Sequence, residues 1–192
     1  MPDHRRRTPR ESQQHAFRLF LSTALVATLA VAAEQHVVEG FRVISGSMEP
    51  TLRVGDWLLG YSLAFARGPV ERGDLVTFHP PRGRPSPIPL VKRIVGLPGE
   101  TLAVRRGVLE VDGEALDEPY LRGVPIPYWM ARLEIPPDSV FVLGDNRARS
   151  EDSTVFGPVE VSRLRDRVWI RLAPWKRRCA FASPSLGLPP CE

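Results

Sequence analysis

Hydrophobic and polar positions divide the chain into segments of different character. Residues 1–15 are polar and basic and cannot form a core, so we expect them to be disordered. Residues 16–33 are apolar apart from Arg18 near the start. Beyond Val37 the chain alternates between short apolar runs and turns that contain glycine or proline. This pattern predicts one apolar helix followed by a mainly β domain.

The apolar run has the length and flanking charges of a membrane-spanning helix. At 1.5 Å per residue it extends about 27 Å, close to the roughly 30 Å hydrocarbon core of a bilayer. Arginines precede the run, and Glu34 and Glu39 follow it, which predicts a cytoplasmic N-terminus and an extracytoplasmic domain. Two alternatives remain: a secretory signal that is cleaved near Ala32, and a buried helix.

The rest of the chain predicts seven short strands that are bounded by turn residues. They cover residues 57–61, 74–79, 90–95, 101–105, 108–111, 139–143 and 168–172. Two proline-rich segments, 80–89 and 120–137, are expected to be irregular loops. We therefore expect a basic cytoplasmic segment (1–15), a transmembrane helix (16–36), an extracytoplasmic domain (37–175) and a poorly ordered tail (176–192).

Charge and cysteine usage narrow the classes of function. The formal net charge is +4, which is compatible with nucleic-acid binding. Basic residues nevertheless concentrate ahead of the apolar run, which favours a membrane protein and no nucleic-acid partner. Lys92 and Lys176 are the only lysines among 26 basic residues, so an ammonium group at either position stands out. Cys179 and Cys191 can form a disulfide outside the cytoplasm, although two cysteines leave the pairing open.

Candidate catalytic residues begin with Ser45 and Ser47, which flank a glycine in the loop after the apolar run. A serine hydroxyl becomes a good nucleophile only when a base removes its proton. His79 is the only histidine placed inside the predicted domain, and no Asp-His pattern surrounds it. Lys92 lies in an apolar strand, where burial would lower the pKa of its amine and allow it to act as a base. The residues thus favour a Ser-Lys dyad over a Ser-His-Asp triad, and an edge lysine without catalytic role remains open.

Three motifs occur together in the order of a known family. Ser-Gly-Ser-Met-x-Pro-Thr-Leu is followed by Lys-Arg-Ile-Val-Gly-Leu-Pro-Gly-Glu and then by Gly-Asp-Asn-Arg-x-x-Ser-x-Asp-Ser, all behind the apolar run. In this order they closely resemble the type I signal peptidases, over about residues 16–172. The resemblance implies a mainly β fold, a signal-peptidase-like β-barrel or coiled β-sheet, preceded by one transmembrane helix.

The resemblance also implies a role for individual residues. Ser47 would be the nucleophile and Lys92 the general base, while Ser45 would donate to the oxyanion and Ser150 would orient the Lys92 amine. The supporting residues would be Asp145, paired with Arg93, and Asp152. The small-residue pockets of the substrate site would be lined by Val43, Met48 and Val91. One position departs from the family pattern. The family often has an arginine after the third motif, which would pair with Asp152, but this chain has Thr154 there.

Together these features predict a membrane-bound endopeptidase that cleaves signal peptides from exported preproteins, with small residues at −1 and −3. Its partners would be the preprotein, the bilayer of the plasma membrane and the export machinery. No metal or cofactor is implied, since the sequence shows no ligand cluster. The alternatives are a mitochondrial inner-membrane protease, a self-cleaving Ser-Lys regulator, and a non-catalytic anchored β-module. The first forty residues leave no room for the DNA-binding domain that a self-cleaving regulator would carry.

Overall fold

The computed structural model describes residues 18, 20–23, 38–62, 65, 68–80, 88–181 and 191. The chain divides into two compact units, Met1–Val37 and Val38–Glu192. In the first unit, Arg18 and residues 20–23 are helical. No helix within the described ranges is long and apolar enough to cross a membrane. Most of the predicted transmembrane segment, 16–36, lies outside the described residues, as do the basic segment 1–15 and residues 182–190 of the tail.

The second unit is mainly β, as the sequence predicted. Its described residues form twelve strands: β1 (Val38–Arg42), β2 (Trp57–Tyr61), β3 (Leu75–Phe78), β4 (Leu90–Gly96), β5 (Thr101–Arg105), β6 (Val108–Val111), β7 (Glu114–Ala115), β8 (Met130–Glu134), β9 (Ser139–Leu143), β10 (Val159–Glu160), β11 (Leu164–Ala173) and β12 (Cys179–Ala180). Phe65 is helical, and an α-helical turn, α1 (Ser153–Phe156), and four 3-10 turns (Gly46–Met48, Pro119–Leu121, Val161–Arg163 and Trp175–Arg177) complete the described elements.

The strands form two antiparallel sheets. The larger has the order β1-β2-β11-β3-β4-β9-β10, with β12 added beside β11, and the smaller has the order β7-β6-β5-β8. In the larger sheet β4 is central: it pairs with β3 along its first half and with β9 along its second half. The strand β9 is buried on both faces. Phe141 and Leu143 pack in one hydrophobic cluster, and Val140 and Val142 pack in another.

Four of the predicted strands match the structure residue for residue, and the differences have physical reasons. The segment 120–137 was expected to be an irregular loop, but Met130–Glu134 forms β8, which pairs with β5. The segment has no β-branched residue and is largely exposed, so its sequence does not indicate a strand. It is ordered by pairing with β5, in which Leu133 lies opposite Leu102 and Met130 opposite Val104. In the tail, we expected 176–192 to be poorly ordered; residues 179–180 instead pair with β11, and Cys179 is disulfide-bonded to Cys191.

Candidate active site

The loop between β1 and β2 presents Ser47 above a hydrophobic cluster. Its two ends are held by backbone hydrogen bonds from Val43 N to Asp56 O (2.8 Å) and from Gly55 N to Val43 O (2.8 Å). Within the loop, Gly46–Met48 forms a 3-10 turn, and the Met48 side chain that follows Ser47 is buried in the core. Burial of this neighbouring residue fixes the loop to the sheet and leaves the Ser47 hydroxyl at the surface of the turn.

Lys92 reaches this hydroxyl from β4. Its Nζ lies 2.7 Å from Ser47 Oγ, and the side chain is 2% exposed. Burial penalises the charged ammonium and lowers the pKa of Lys92 from 10.5 to about 8, against the opposing attraction of Asp152 and Asp145. At neutral pH a fraction of the molecules therefore carries a neutral amine in direct contact with a serine hydroxyl. Such an amine can accept the hydroxyl proton.

Ser45 lies on the same side of the turn as Ser47. The two hydroxyl oxygens are 3.3 Å apart. A carbonyl oxygen whose carbon is attacked by Ser47 becomes bonded to the same carbon as Ser47 Oγ, so its donor must lie next to this hydroxyl. The Ser45 hydroxyl is therefore in the neighbourhood where an oxyanion donor is needed.

The third motif, which follows β9, contacts the Ser47 loop through its backbone. Asn146 N donates to Ser47 O (3.0 Å), and Asn146 Nδ2 donates to Gly46 O (3.1 Å). Gly144 passes so close that a Cβ at this position would lie 2.5 Å from Ser47 O and would overlap the Ser150 hydroxyl. Asn146 was not among the predicted site residues, although its place in the Gly-Asp-Asn motif was a signal that could have found it.

Ser150 differs from the expected arrangement. Its hydroxyl is buried and has no hydrogen-bond partner among the residues that the structure describes, so the expected contact with the Lys92 amine is not made. The Lys92 Nζ is directed to Ser47 Oγ instead. Ser150 nevertheless lies beside the loop that carries Ser47. A Cβ added to Gly144 would meet both the Ser150 hydroxyl and Ser47 O, so the two groups lie close to each other.

An ion pair behind the dyad joins β4 to the third motif. Arg93 Nε and Nη2 donate to the two Asp145 oxygens at 2.9 Å and 2.7 Å, as the resemblance implied. The arginine also stacks on the Tyr120 ring, with 3.8 Å between its Cζ and the ring centre. Two parallel hydrogen bonds between planar groups fix orientation as well as distance. Because Arg93 follows Lys92, this pair fixes the strand that carries the lysine.

The Asp152 side chain contacts backbone and hydroxyl groups in place of the arginine of the family pattern. It accepts from Gly144 N (2.9 Å), from Thr154 N (3.1 Å) and from the Thr154 hydroxyl (2.8 Å). Thr154 thus supplies a hydrogen bond where the family pattern often has an arginine. Arg147 instead forms a two-pronged ion pair with Glu118, a contact across 29 residues of sequence that no local pattern predicted.

His79, the other candidate base, is not among the residues that line the cleft around Ser47 and Lys92. His79 lies at the end of β3, where its Nε2 is 3.1 Å from Arg165 Nη1. Across the described residues there is no group of three or more His, Cys, Asp or Glu side chains that could hold a metal ion.

Comparison with known proteins assigns this constellation to a family. The model of the family described as signal peptidase, peptidase S26, matches residues 16–173. The chain belongs to the signal peptidase family. Signal peptidase I of Bacillus caldolyticus is 35% identical over 176 residues, which cover 82% of this chain and 90% of the relative. Signal peptidase I of Leptolyngbya laminosa is 35% identical over 165 residues, covering 83% of this chain and 81% of the relative.

A solved structure is also similar. The crystal structure of a signal peptidase I from Enterococcus faecalis is 33% identical and covers 52% of this chain and 97% of that chain, with a TM-score of 0.45. The family match and the two signal peptidase I relatives show that the chain is a serine peptidase of the signal peptidase family.

A cleft of about 350 Å3 leads to the dyad of this signal peptidase. The three residues expected to form substrate pockets, Val43, Met48 and Val91, all line it, together with Ser45, Ser47 and Lys92. Val43 and Val91 are partly buried and pack against the cluster that contains Met48. The cleft therefore has apolar walls and polar groups at the dyad, the composition that is usual for a binding site.

Proposed function

We propose that the chain is a membrane-bound serine endopeptidase that removes N-terminal signal peptides from exported preproteins. The observation that carries this proposal is the 2.7 Å contact between the buried amine of Lys92 and the Ser47 hydroxyl. A buried lysine with a lowered pKa needs no histidine to activate a serine. The matched family and its bacterial relatives supply the substrate class, signal peptides.

The reaction proceeds through an acyl-enzyme. Ser47 Oγ attacks the carbonyl carbon of the scissile bond while Lys92 takes the hydroxyl proton. The oxyanion is received by the Ser45 hydroxyl and the Ser47 backbone N–H, and donors of this kind each typically contribute about 3 kcal/mol. Lys92 returns the proton to the leaving amine as the bond breaks. Water, deprotonated by Lys92, then releases the signal peptide.

The substrate would lie extended along the cleft. On the side of Leu90–Lys92 opposite β3, no strand is paired within the described part of the chain, because β9 begins its pairing only at Arg93. An added strand can therefore hydrogen-bond here. Side chains at −1 and −3 would then point towards the walls formed by Val43, Met48 and Val91. These shallow apolar walls favour small residues such as alanine.

We further propose a single-pass topology in the plasma membrane. Residues 16–36 would span the bilayer, with 1–15 in the cytoplasm, 37–175 as the extracytoplasmic catalytic domain, and 176–192 as the tail. The apolar run, the arginines before it and the glutamates after it support this topology. Such an anchor would keep Ser47 near the membrane surface, where a preprotein leaves the export machinery. The bacterial sources of the relatives favour the plasma membrane over a mitochondrial membrane.

The proposal is tested by cleavage of a preprotein with an Ala-x-Ala site in detergent. Ser47→Ala and Lys92→Arg should each abolish cleavage, because the first lacks the nucleophile and the second keeps a cation that stays protonated. Lys176→Arg is the matched control and should cleave like wild type, since Lys176 is exposed. Normal cleavage by Ser47→Ala, or by a folded Lys92→Arg, would contradict the proposed dyad.

A further inference from the structure

The segment 174–181, here called the C-terminal segment, follows β11 and lies outside the part of the chain that the family model matches. Its residues are nevertheless ordered against the catalytic unit. Trp175–Arg177 forms a 3-10 turn, and Cys179–Ala180 pairs with Ile170 and Arg171 of β11. Phe181 packs against the hydrophobic cluster beneath the Ser47 loop, the one that contains Met48. The segment therefore packs against the hydrophobic cluster on which the Ser47 loop rests.

Arg177 carries the contact between this segment and the loop. Its Nη1 donates to both oxygens of Asp56 (2.9 Å and 3.1 Å), and its Nη2 donates to Thr51 O (3.3 Å). Asp56 and Thr51 are 1% and 5% exposed. Arg171 completes the arrangement, because its Nη1 donates to the same Thr51 oxygen (2.6 Å) and its Nε donates to Arg177 O (2.6 Å). One side chain of the C-terminal segment thus contacts the loop at two points.

Both points are connected to Ser47 by short paths. Thr51 lies in the turn after Met48, in which Leu52 N donates to Met48 O (2.9 Å). Asp56 accepts from Arg53 N through its side chain and from Val43 N through its carbonyl oxygen, so it holds the base of the loop. Loss of Arg177 would leave a buried carboxylate and a buried carbonyl with fewer donors, and the loop would relax around them.

We propose that Arg177 is a positioning residue that holds the Ser47 loop at its working distance from Lys92. This inference rests on the proposed function. The dyad needs Ser47 Oγ and Lys92 Nζ in contact, and a displacement of the nucleophile by about 1 Å can reduce catalysis about 100-fold. A loosened loop would also admit water to Lys92, reduce its desolvation and raise the pKa of its amine towards the ordinary value.

The test compares Arg177→Ala, Arg177→Lys and the matched control Lys176→Ala in the full chain in detergent. Lys176 is an exposed cation in the same turn. For each variant, kcat and KM for an Ala-x-Ala preprotein are measured at 25 °C as a function of pH, with the melting temperature measured alongside. Arg177→Ala should lower kcat about tenfold, the scale set by charged hydrogen bonds. Its KM should change less than twofold, and the acid limb of its pH profile should move to higher pH.

The conservative variant separates the two contacts of Arg177. A lysine can pair with Asp56, but it lacks the planar fork that also reaches Thr51 O, so kcat of Arg177→Lys should fall between wild type and Arg177→Ala. Lys176→Ala should match wild type throughout.

Several outcomes would overturn the inference. Wild-type kcat and an unmoved acid limb in Arg177→Ala, with only a lower melting temperature, would make Arg177 a purely stabilising residue. If Arg177→Ala does not fold, Arg177→Gln takes its place, because glutamine cannot form the ion pair with Asp56 or donate from a guanidinium to Thr51 O; wild-type kcat and an unmoved acid limb in that variant have the same meaning. Failure of wild type itself to cleave the preprotein would instead contradict the proposed function, so the two failures are distinguishable.

Discussion

Replacing Lys92 by methionine should abolish cleavage and yet stabilise the fold. Methionine has a similar length and no charge, so the variant removes the base while keeping most of the packing. In the wild type, burial holds the pKa of Lys92 at about 8, compared with 10.5 for an exposed lysine. One pKa unit corresponds to about 1.4 kcal/mol, so the buried ammonium lowers the free energy of unfolding by about 3 kcal/mol at pH 7.

The stability difference between Lys92→Met and wild type should decrease as the pH rises. Below pH 8 the lysine is charged in both the folded and the unfolded chain, and the whole desolvation cost is present. Between pH 8 and 10.5 the folded chain has released the proton while the unfolded chain still holds it, so the cost decreases. The advantage of Lys92→Met over wild type should therefore fall from about 3 kcal/mol at pH 7 to about 1 kcal/mol at pH 10. The lost contact with Ser47 Oγ would reduce both values by a similar amount.

Urea unfolding followed by tryptophan fluorescence, on the full chain in detergent, measures these free energies at both pH values. Lys176→Met is the control, and it should match wild type because Lys176 is exposed. A Lys92→Met variant that is less stable than wild type at pH 7 would refute the reasoning. The same conclusion would follow if its advantage did not change between pH 7 and pH 10.

Three further predictions concern the dyad and its neighbours. The kcat/KM of wild type should rise with pH through a midpoint near 8, the pKa of Lys92, and a rate that does not vary between pH 6 and 9 would exclude this base. Ser45→Ala should lower kcat about 100-fold with KM nearly unchanged, as expected for an oxyanion donor; a change confined to KM would assign Ser45 to substrate binding. Gly144→Ala should lower kcat and cost about 1–3 kcal/mol of stability, because its Cβ would displace the Ser47 loop and the Ser150 hydroxyl. Wild-type kinetics in that variant would show that the close approach is not required.

Local patterns were sufficient for much of the fold. Strands such as Thr101–Arg105 and Ser139–Leu143 combine β-favouring side chains with adjacent turn residues, and both were predicted with their correct bounds. The strand around Lys92 left open whether this lysine is buried or lies at an edge, and the resemblance of three motifs to a known family indicated its role. In the structure Lys92 is buried, on a strand that pairs with both β3 and β9.

Contacts that depend on tertiary packing could not be predicted in the same way. The pair of Arg147 with Glu118 and the stacking of Arg93 on Tyr120 join segments that are polar loops in the sequence, and nothing local distinguishes them from solvated loops. The strand β8 was missed for a related reason, since its five residues are largely exposed and are ordered by pairing with β5. The interpretation of Ser150 failed in its detail because a sequence indicates that a hydroxyl is near the amine but not where that hydroxyl points.

The disulfide between Cys179 and Cys191 closes the end of the chain into a covalent ring. A peptide bond cut anywhere inside the ring leaves both fragments in one molecule. The sequence Ala180-Phe181-Ala182, an Ala-x-Ala tripeptide, lies within it. A protein cut after Ala182 would therefore keep its full mass on a non-reducing gel and would lose a short peptide only after reduction. A reducing gel therefore separates intact from nicked enzyme, whereas a non-reducing gel does not.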